Sequence, residues 1–459
     1  MWYANIMSQH FDVLVIGSGA AGGACARELR AHGLSVAMAE SGPFGGTCAL
    51  RGCEPKKVLA ETAHAVARVR EMAKDNGILG QEHLSIDWPA LAARKRFYVE
   101  RVPPLAEKSY EKSGITLLRG QARFTGPDSA LVGGIPVTAD KFVIATGSTP
   151  RPLAFPGAEL LAVSDDFLNL ETLPRRIAFI GGGYISTEFA HIAAIAGADV
   201  TLAVRGGQCL RRFDRDIVSQ LCETSASLGV AIRYFSPPHS IEKTGGGLRL
   251  RLGPLGEQEV ITDMIVHGAG RVPNLAGLDL EAAGIETTNG RLILDSFLAT
   301  TNPNVYAAGD AAGRSQLTPT AVMEGQVVAA NILAEDRPTE RAQPGYKVIP
   351  SVTFSHPPLA GVGVTEDEAN AQGIPHTVKV KTGLAWPELT RLGIRHSGYK
   401  VIFEPGRGKL LGVFYLGEDA EEVVNAAALT MRQGLTVKDI MDVIWTYPSF
   451  GYTLRYMLE

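Results

Sequence analysis

A strand–turn–helix pattern that occurs twice does most to limit what this chain can fold into. Residues 11–16 (FDVLVI) are a short apolar, β-branched run of the kind buried on both faces of a parallel sheet. They lead straight into Gly17-Ser18-Gly19-Ala20-Ala21-Gly22 and a helical pattern through Leu29. In a G-x-G-x-x-G so placed, Gly17 allows the tight turn, Gly19 lets backbone approach a pyrophosphate, and Gly22 lets helix pack on strand. The next strand, 35–39, ends at Glu40, positioned to accept hydrogen bonds from ribose hydroxyls. The pattern returns as strand 176–180, Gly181-Gly182-Gly183-Tyr184-Ile185-Ser186 and a helix through Ala196. Ser186 replaces the third glycine and is still small enough for close packing.

The two copies differ where the ribose is read. Glu40 follows Gly17 by 23 residues, and the same step from Gly181 arrives at Val204, which is apolar. An acid there holds a free 2′-hydroxyl and repels a 2′-phosphate. Its absence, with Arg205, Arg211 and Arg212 alongside, favours NADP(H), because guanidinium forks onto phosphate. The alternative is that these arginines are solvated loop charges. The first copy, with Glu40, suits the adenosine of FAD.

At 459 residues the chain exceeds one hydrophobic core, so several domains are expected. A net charge of -4 argues against a general nucleic-acid binder, and no apolar run is long enough to span a membrane. The start, Met1 to His10, lacks the pattern of a secretory signal, and Met7 is a second candidate initiator. Five cysteines in this length do not make a disulfide framework, so the chain reads as cytoplasmic. Two later strands, ending at Thr146-Gly147 and at Ala308-Gly309-Asp310, belong with the first copy, and Gly270 to Asn274 reads as the return linker. The expected fold class is α/β, with two Rossmann-like domains and a C-terminal α+β domain. Its boundaries are 1–148 and 272–343 for the FAD domain, 149–271 for an inserted NADPH domain, and 344–459 for the last. Strands at 351–354, 377–381, 399–403 and 410–416 and helices at 419–433 and 437–444 are predicted there.

The most informative stretch is Gly45-Gly46-Thr47-Cys48-Ala49-Leu50-Arg51-Gly52-Cys53-Glu54-Pro55-Lys56. A C-x-x-x-x-C spacing can bring two sulfurs within disulfide reach across one helical turn. A helix start lowers thiolate pKa through backbone N–H groups and the dipole. As half a metal site the pair is weak, because no second Cys or His pair completes four ligands, and no metal is expected. Cys25 is expected in the core, and Cys209 and Cys222 as structural or surface thiols.

In motif order from Phe11 onward, the chain resembles the pyridine nucleotide-disulfide oxidoreductases, the group of glutathione, mercuric and trypanothione reductases and dihydrolipoamide dehydrogenase. The residues that carry the likeness are the two nucleotide motifs, Cys48/Cys53, Ala-Ala-Gly-Asp310 and Phe354-Ser355-His356-Pro357-Pro358. The resemblance implies a homodimer in which NADPH reduces FAD, and the flavin in turn reduces a Cys48–Cys53 disulfide. Cys53 would be the charge-transfer thiolate and Cys48 the interchange thiol. Tyr184 would cover the nicotinamide pocket, with Lys56 and Glu188 as an ion pair beside the flavin. FAD contacts are implied at Gly17, Gly19, Ala20, Gly22, Glu40, Gly46, Thr47, Thr146, Gly147 and Asp310. NADPH contacts are implied at Gly181, Gly183, Tyr184, Ile185, Glu188, Arg205, Arg211 and Gly270.

The chain departs from the family at its end. The His-Pro segment, with a Glu five residues after the His, reads Tyr447-Pro448 and Tyr452, and none of the ten histidines lies beyond His396. A positioned acid–base contributes about 10²- to 10⁴-fold. Tyrosine, with a reference pKa of about 10, donates a proton but is a poor base at pH 7. Tyr447 is thus an acid, a hydrogen-bond donor or a space filler. Arg27 matches an arginine for a glutathione carboxylate, but Gln326 and Ala106 stand where a second arginine and a pocket tyrosine are expected. The expected function is an NADPH-dependent reductase of a disulfide or other small oxidised substrate. The alternatives are the same flavoenzyme on a quinone, metal ion or thiolate-attacked electrophile, and a redox-sensing flavoprotein.

Overall fold

The computed structural model describes residues 9–75, 77–406 and 408–459, so both candidate initiators lie outside the described residues. The chain divides into two compact units: residues up to 56 with 95–151 and 271–345, and residues 57–94 with 152–270 and 346–459.

In the first unit, strand Gln9–Ile16 pairs in parallel with Val36–Glu40 on one side and Ile135–Ile144 on the other. Thr116–Arg119 extends the first edge, and Val305–Ala307 pairs in parallel with Ile135–Ile144. Val13, Leu14, Val15 and Phe142 are fully buried, which is why these strands read as unbroken apolar runs. Ala122–Gly126 and Ser129–Val132 continue the sheet in antiparallel fashion. Helix Ala20–Ala31 packs on helix Thr318–Leu333 through small residues: a Cβ on Gly325 would lie 2.3 Å from the Ala21 carbonyl oxygen. The stretch expected as a return linker is instead a strand, Arg271–Pro273, paired antiparallel with the outgoing Ser148–Pro150.

In the second unit, Val230–Arg233, Asp199–Ala203, Arg176–Ile180 and Met264–His267 form a four-stranded parallel sheet. Pro238–Thr244, Gly247–Leu252 and Gln258–Thr262 add an antiparallel sheet that the sequence reading did not contain. The C-terminal part has a five-stranded antiparallel sheet, ordered Ser351–Thr353, Leu359–Gly363, Leu410–Leu416, Gly398–Phe403, Thr377–Thr382, with helix Ala420–Gln433 packed on it. The architecture is the α/β class expected, with two Rossmann-like sheets and an α+β part at the end. One element is shorter than predicted. The helix expected to reach 444 stops at Met441, and Ile444 is 98% exposed, so no core contact favours prolonging it. Among the described residues no helix is long and apolar enough to cross a membrane.

Candidate active site

The first glycine motif makes a cradle by leaving side chains out. Gly17 has φ +112°, and a Cβ there would lie 2.3 Å from the Ala145 carbonyl oxygen. A Cβ on Gly22 would lie 2.0 Å from the Gly17 oxygen, so the helix cannot sit this close with any other residue. Glu40 is held in place: one carboxylate oxygen accepts from the Ser18 amide (3.0 Å) and hydroxyl (2.7 Å), the other from the Gly42 amide (2.9 Å). Ser18 Oγ in turn accepts from the Gly45 amide (3.0 Å), and the buried Tyr110 hydroxyl donates to the Ser18 carbonyl (2.9 Å). Ser18 thus links Glu40 to the segment that carries the cysteines, although only its glycine neighbours stand out in the sequence. A cleft with about 660 Å³ of open space follows, lined by Gly17, Gly19, Glu40, Gly46, Thr47, Thr146 and Gly147 among others. Thr146 Oγ1 donates to the Asn274 carbonyl (2.7 Å), and Asp310 accepts from Ser148 Oγ (2.6 Å). Burial raises the Asp310 pKa, offset by Ser148 and by the Arg271 charge.

The cysteines sit on two helices rather than one. Gly46–Arg51 carries Cys48, Gly52 breaks the run at φ −141° and ψ −113°, and Cys53 opens helix Cys53–Asp75. The first of these helices starts in backbone contact with the glycine cradle: Gly46 has φ +75°, and a Cβ on it would lie 2.4 Å from Gly19 Cα. Ala20 opens the fingerprint helix. Cys48 is half-buried and Cys53 exposed, and both are free thiols. Cys53 Sγ lies 3.6 Å from Thr318 Oγ1, a partner that nothing in the sequence spacing pointed to. The expected lowering by a helix start does not hold for Cys48. Its thiol is pushed up, first because it hydrogen-bonds to Cys53 and next because the site is partly dry, while Thr318 acts in the opposite sense. Lys56 is buried on the same helix as Cys53. Arg27 lies 4.6 Å over the Tyr110 ring.

In the second unit the substitution of serine for glycine is absorbed elsewhere. Ser186 is fully buried, and a Cβ on Gly268 would lie 2.1 Å from its hydroxyl, so a glycine on the facing segment makes the room. Gly181 has φ +106° and Gly270 φ +108°; Gly183 caps the helix that Tyr184 opens, followed by Ile185. Tyr184 is 42% exposed. Arg205 and Arg211 are exposed, and Arg211 lies over Gly206, where a Cβ would stand 2.4 Å from its guanidinium. Glu188 is buried and accepts from the Phe354 amide at 2.8 Å. Lys56 and Glu188 belong to different units.

The surroundings of three further groups come from tertiary placement. His191 Nδ1 accepts from the His356 amide (3.0 Å), so its Nε2–H donates to Ser225 Oγ (2.8 Å). Burial holds its pKa down at about 3. Cys209 and Cys222, expected as structural or surface thiols, act on one another: Cys209 is pushed up, and Cys222 is brought down to about 7 by Cys209 first and by Tyr234. Tyr447 is 56% exposed, packs edge-on to Tyr452 at 5.0 Å between ring centres, and hydrogen-bonds to Tyr456, whose pKa burial and that contact push up to about 12. Cys25 is fully buried and its thiol is pushed up by desolvation, in keeping with a core role. Among the described residues no three or more His, Cys, Asp or Glu are grouped to hold a metal.

The family described as pyridine nucleotide-disulphide oxidoreductase matches residues 11–325, and its dimerisation domain matches residues 349–457. The chain is 31% identical over 456 residues to a glutathione reductase of Nostoc sp., covering 96% of this chain and 98% of that one. It is 30% identical to a mercuric reductase of Lysinibacillus sphaericus, covering 98% and 83% respectively. Among solved structures, the HOCl-induced flavoprotein disulfide reductase RclA of Escherichia coli aligns at TM-score 0.87 and 27% identity, over 97% of this chain and 99% of that one. With fold, glycine cradles and paired cysteines in place, these matches show that the chain belongs to the pyridine nucleotide-disulphide oxidoreductase family.

Proposed function

We propose that this chain passes electrons from NADPH, through FAD and the Cys48–Cys53 pair, to a small oxidised substrate, with a disulfide as the first choice. The observation that carries the reading is the sulfur pair: two free cysteines of unequal exposure, on adjoining helices, sit where the first of those helices touches the glycine-lined cleft. The Cys48 thiol is pushed up, first by its neighbour Cys53 and next by burial, which supports Cys48 as the interchange thiol and Cys53 as the sulfur beside the flavin.

The glycine cradle fits the pyrophosphate of FAD, since side chains are missing where that group would approach, and Glu40 is pre-oriented for its ribose. When bound, FAD supplies the two-electron relay between nicotinamide and sulfur. We assign Gly17, Gly19, Ala20, Gly22, Gly46, Thr47, Thr146, Gly147 and Asp310 to holding it. Gly181, Gly183, Ile185 and Gly270 are assigned to the NADPH backbone, and Arg205 and Arg211 to its 2′-phosphate. Tyr184 shields the nicotinamide pocket, and Lys56 and Glu188 set the charge near the ring. Residues 1–148 and 272–343 form the FAD domain in this reading, 149–271 the NADPH domain and 344–459 the dimer interface. The protein works in the cytoplasm as a homodimer, with Tyr447 facing the partner subunit's Cys48.

A second reading, a non-disulfide acceptor such as a quinone, metal ion or electrophile, is favoured by Tyr447 itself. A tyrosine bonded to Tyr456 donates a proton but is a poor base, so the proton traffic of thiol–disulfide exchange is less well served. NADPH-driven turnover across glutathione disulfide, other small disulfides, a quinone and mercuric ion separates the two. The first reading expects disulfide turnover that Cys48→Ser and Cys53→Ser both abolish. Full quinone turnover in Cys48→Ser, with no disulfide turnover in the unaltered protein, would overturn it in favour of the second.

A further inference from the structure

Helix Tyr184–Ile195 carries two buried polar side chains on one face, Glu188 and His191, three residues apart. Each accepts a backbone N–H from the same short segment. Glu188 Oε1 takes the Phe354 amide at 2.8 Å, and His191 Nδ1 takes the His356 amide at 3.0 Å. Helix and segment are thus joined at two points. His356 is also tied by its ring, whose Nε2 lies 3.2 Å from Glu71 Oε2, but that contact holds the side chain and not the amide.

The proton on His191 is placed from both ends. Its Nδ1 accepts, so Nε2 carries the hydrogen and directs it at Ser225 Oγ, 2.8 Å away. The Ser225 hydroxyl gives its own hydrogen to the Leu221 carbonyl at 2.8 Å, which leaves its oxygen to accept from the ring. A second ring proton would face the His356 N–H, and burial holds the ring neutral, with a pKa of about 3. His191 is therefore a fixed acceptor at neutral pH.

We propose that His191 is a positioning residue for flavin reduction by NADPH: by holding the His356 amide it keeps the Phe354 amide on Glu188, and so fixes the direction of the Glu188 carboxylate. The proposal rests on the assignment of Glu188 to the charge near the flavin ring. Without an acceptor at position 191, the buried His356 N–H has to find another partner. A shift of the segment supplies one, and it draws the Phe354 amide, two residues earlier, away from Glu188. The nucleotide turn at Gly181 to Gly183 lies about two helical turns from His191, so NADPH affinity is expected to hold.

The test follows flavin reduction by NADPH in anaerobic stopped flow with the flavin-loaded protein, alone and in a Glu188→Gln background. His191→Leu fills the site but accepts nothing. It should slow flavin reduction about tenfold, a usual size for coupling between neighbouring residues, with flavin content and NADPH affinity unchanged. His191→Asn, whose Oδ1 can take the His356 amide, should stay within about twofold of the unaltered rate, and His191→Leu added to Glu188→Gln should change the rate by no more than about twofold. Ser225→Ala, which removes the lock on the ring tautomer, reads the same coupling if His191→Leu does not fold, and should slow the reaction only where Glu188 is present. Equal slowing in both backgrounds, or an unaltered rate in His191→Leu where Glu188→Gln is slow, overturns the proposal and leaves the role of Glu188 standing. An unaltered rate in Glu188→Gln itself removes Glu188 from the charge near the ring, and the proposal with it.

Discussion

The two nucleotide folds are built on one plan and differ at three matching steps. The first copy closes its helix on the strand with Gly22; the second carries Ser186 and moves the vacancy to Gly268. The first ends its second strand on Glu40, clamped by Ser18, whereas in the second the matching position, just past Ala203, is the buried Val204 with arginines beyond. Midway along the helix the first presents Arg27 over Tyr110, and the second buries the neutral ring of His191. The comparison teaches that the motif fixes backbone approach, while partners around it decide which nucleotide is read and how the fold responds to pH.

The largest effect is expected where backbone meets backbone. Gly22→Ala sets a methyl against the Gly17 oxygen and should cost about 3 kcal/mol or more, with loss of bound flavin on purification. Gly268→Ala meets the Ser186 hydroxyl first, at 2.1 Å, a side-chain atom and not a carbonyl, and should cost about 1–2 kcal/mol in thermal melts. Equal losses would mean that the vacancy has not been moved.

Acid should also separate the folds. The folded His191 keeps its pKa near 3, whereas the unfolded ring protonates below about 6.5. Stability of the second unit is therefore full above that pH and is lost as pH falls toward 3, by about 1.4 kcal/mol per pH unit for this ring. Denaturant midpoints measured from pH 7 to 4 check this, and His191→Gln should flatten the slope.

A smaller effect concerns the ribose step. Arg211→Glu should raise KM for NADPH about tenfold, about 1.4 kcal/mol, and leave that for NADH nearly unchanged. A loss shared equally by both nucleotides would remove Arg211 from phosphate recognition. The smallest effect is expected from Ser186→Ala, which deletes a buried hydroxyl with no hydrogen-bond partner among the described residues and should leave the melting temperature level or slightly higher.

Much of this was legible in the sequence for physical reasons. Parallel strands buried on both faces leave continuous apolar runs such as residues 11–16 and 176–180, and the glycine motifs say what approaches them. The antiparallel sheet at Pro238–Thr244, Gly247–Leu252 and Gln258–Thr262 went unread, although Leu248, Leu250 and Leu252 alternate with Arg249 and Arg251 in the period of a half-buried strand. That signal could have been found. Other features depend on tertiary placement alone. Thr318 reaches Cys53 from 265 residues away. The rise in the Cys48 pKa was hidden for the same reason: its first cause is the partner sulfur, and burial comes next.

The most direct test of the central claim is anaerobic titration of the oxidised protein with NADPH, counting thiols as the flavin spectrum is followed. Electron passage through the sulfur pair should release two new reactive thiols per chain, at Cys48 and Cys53, together with a long-wavelength thiolate–flavin band that Cys53→Ser lacks. Bleaching of the flavin by the first equivalent, with no thiol released and no such band, would contradict it.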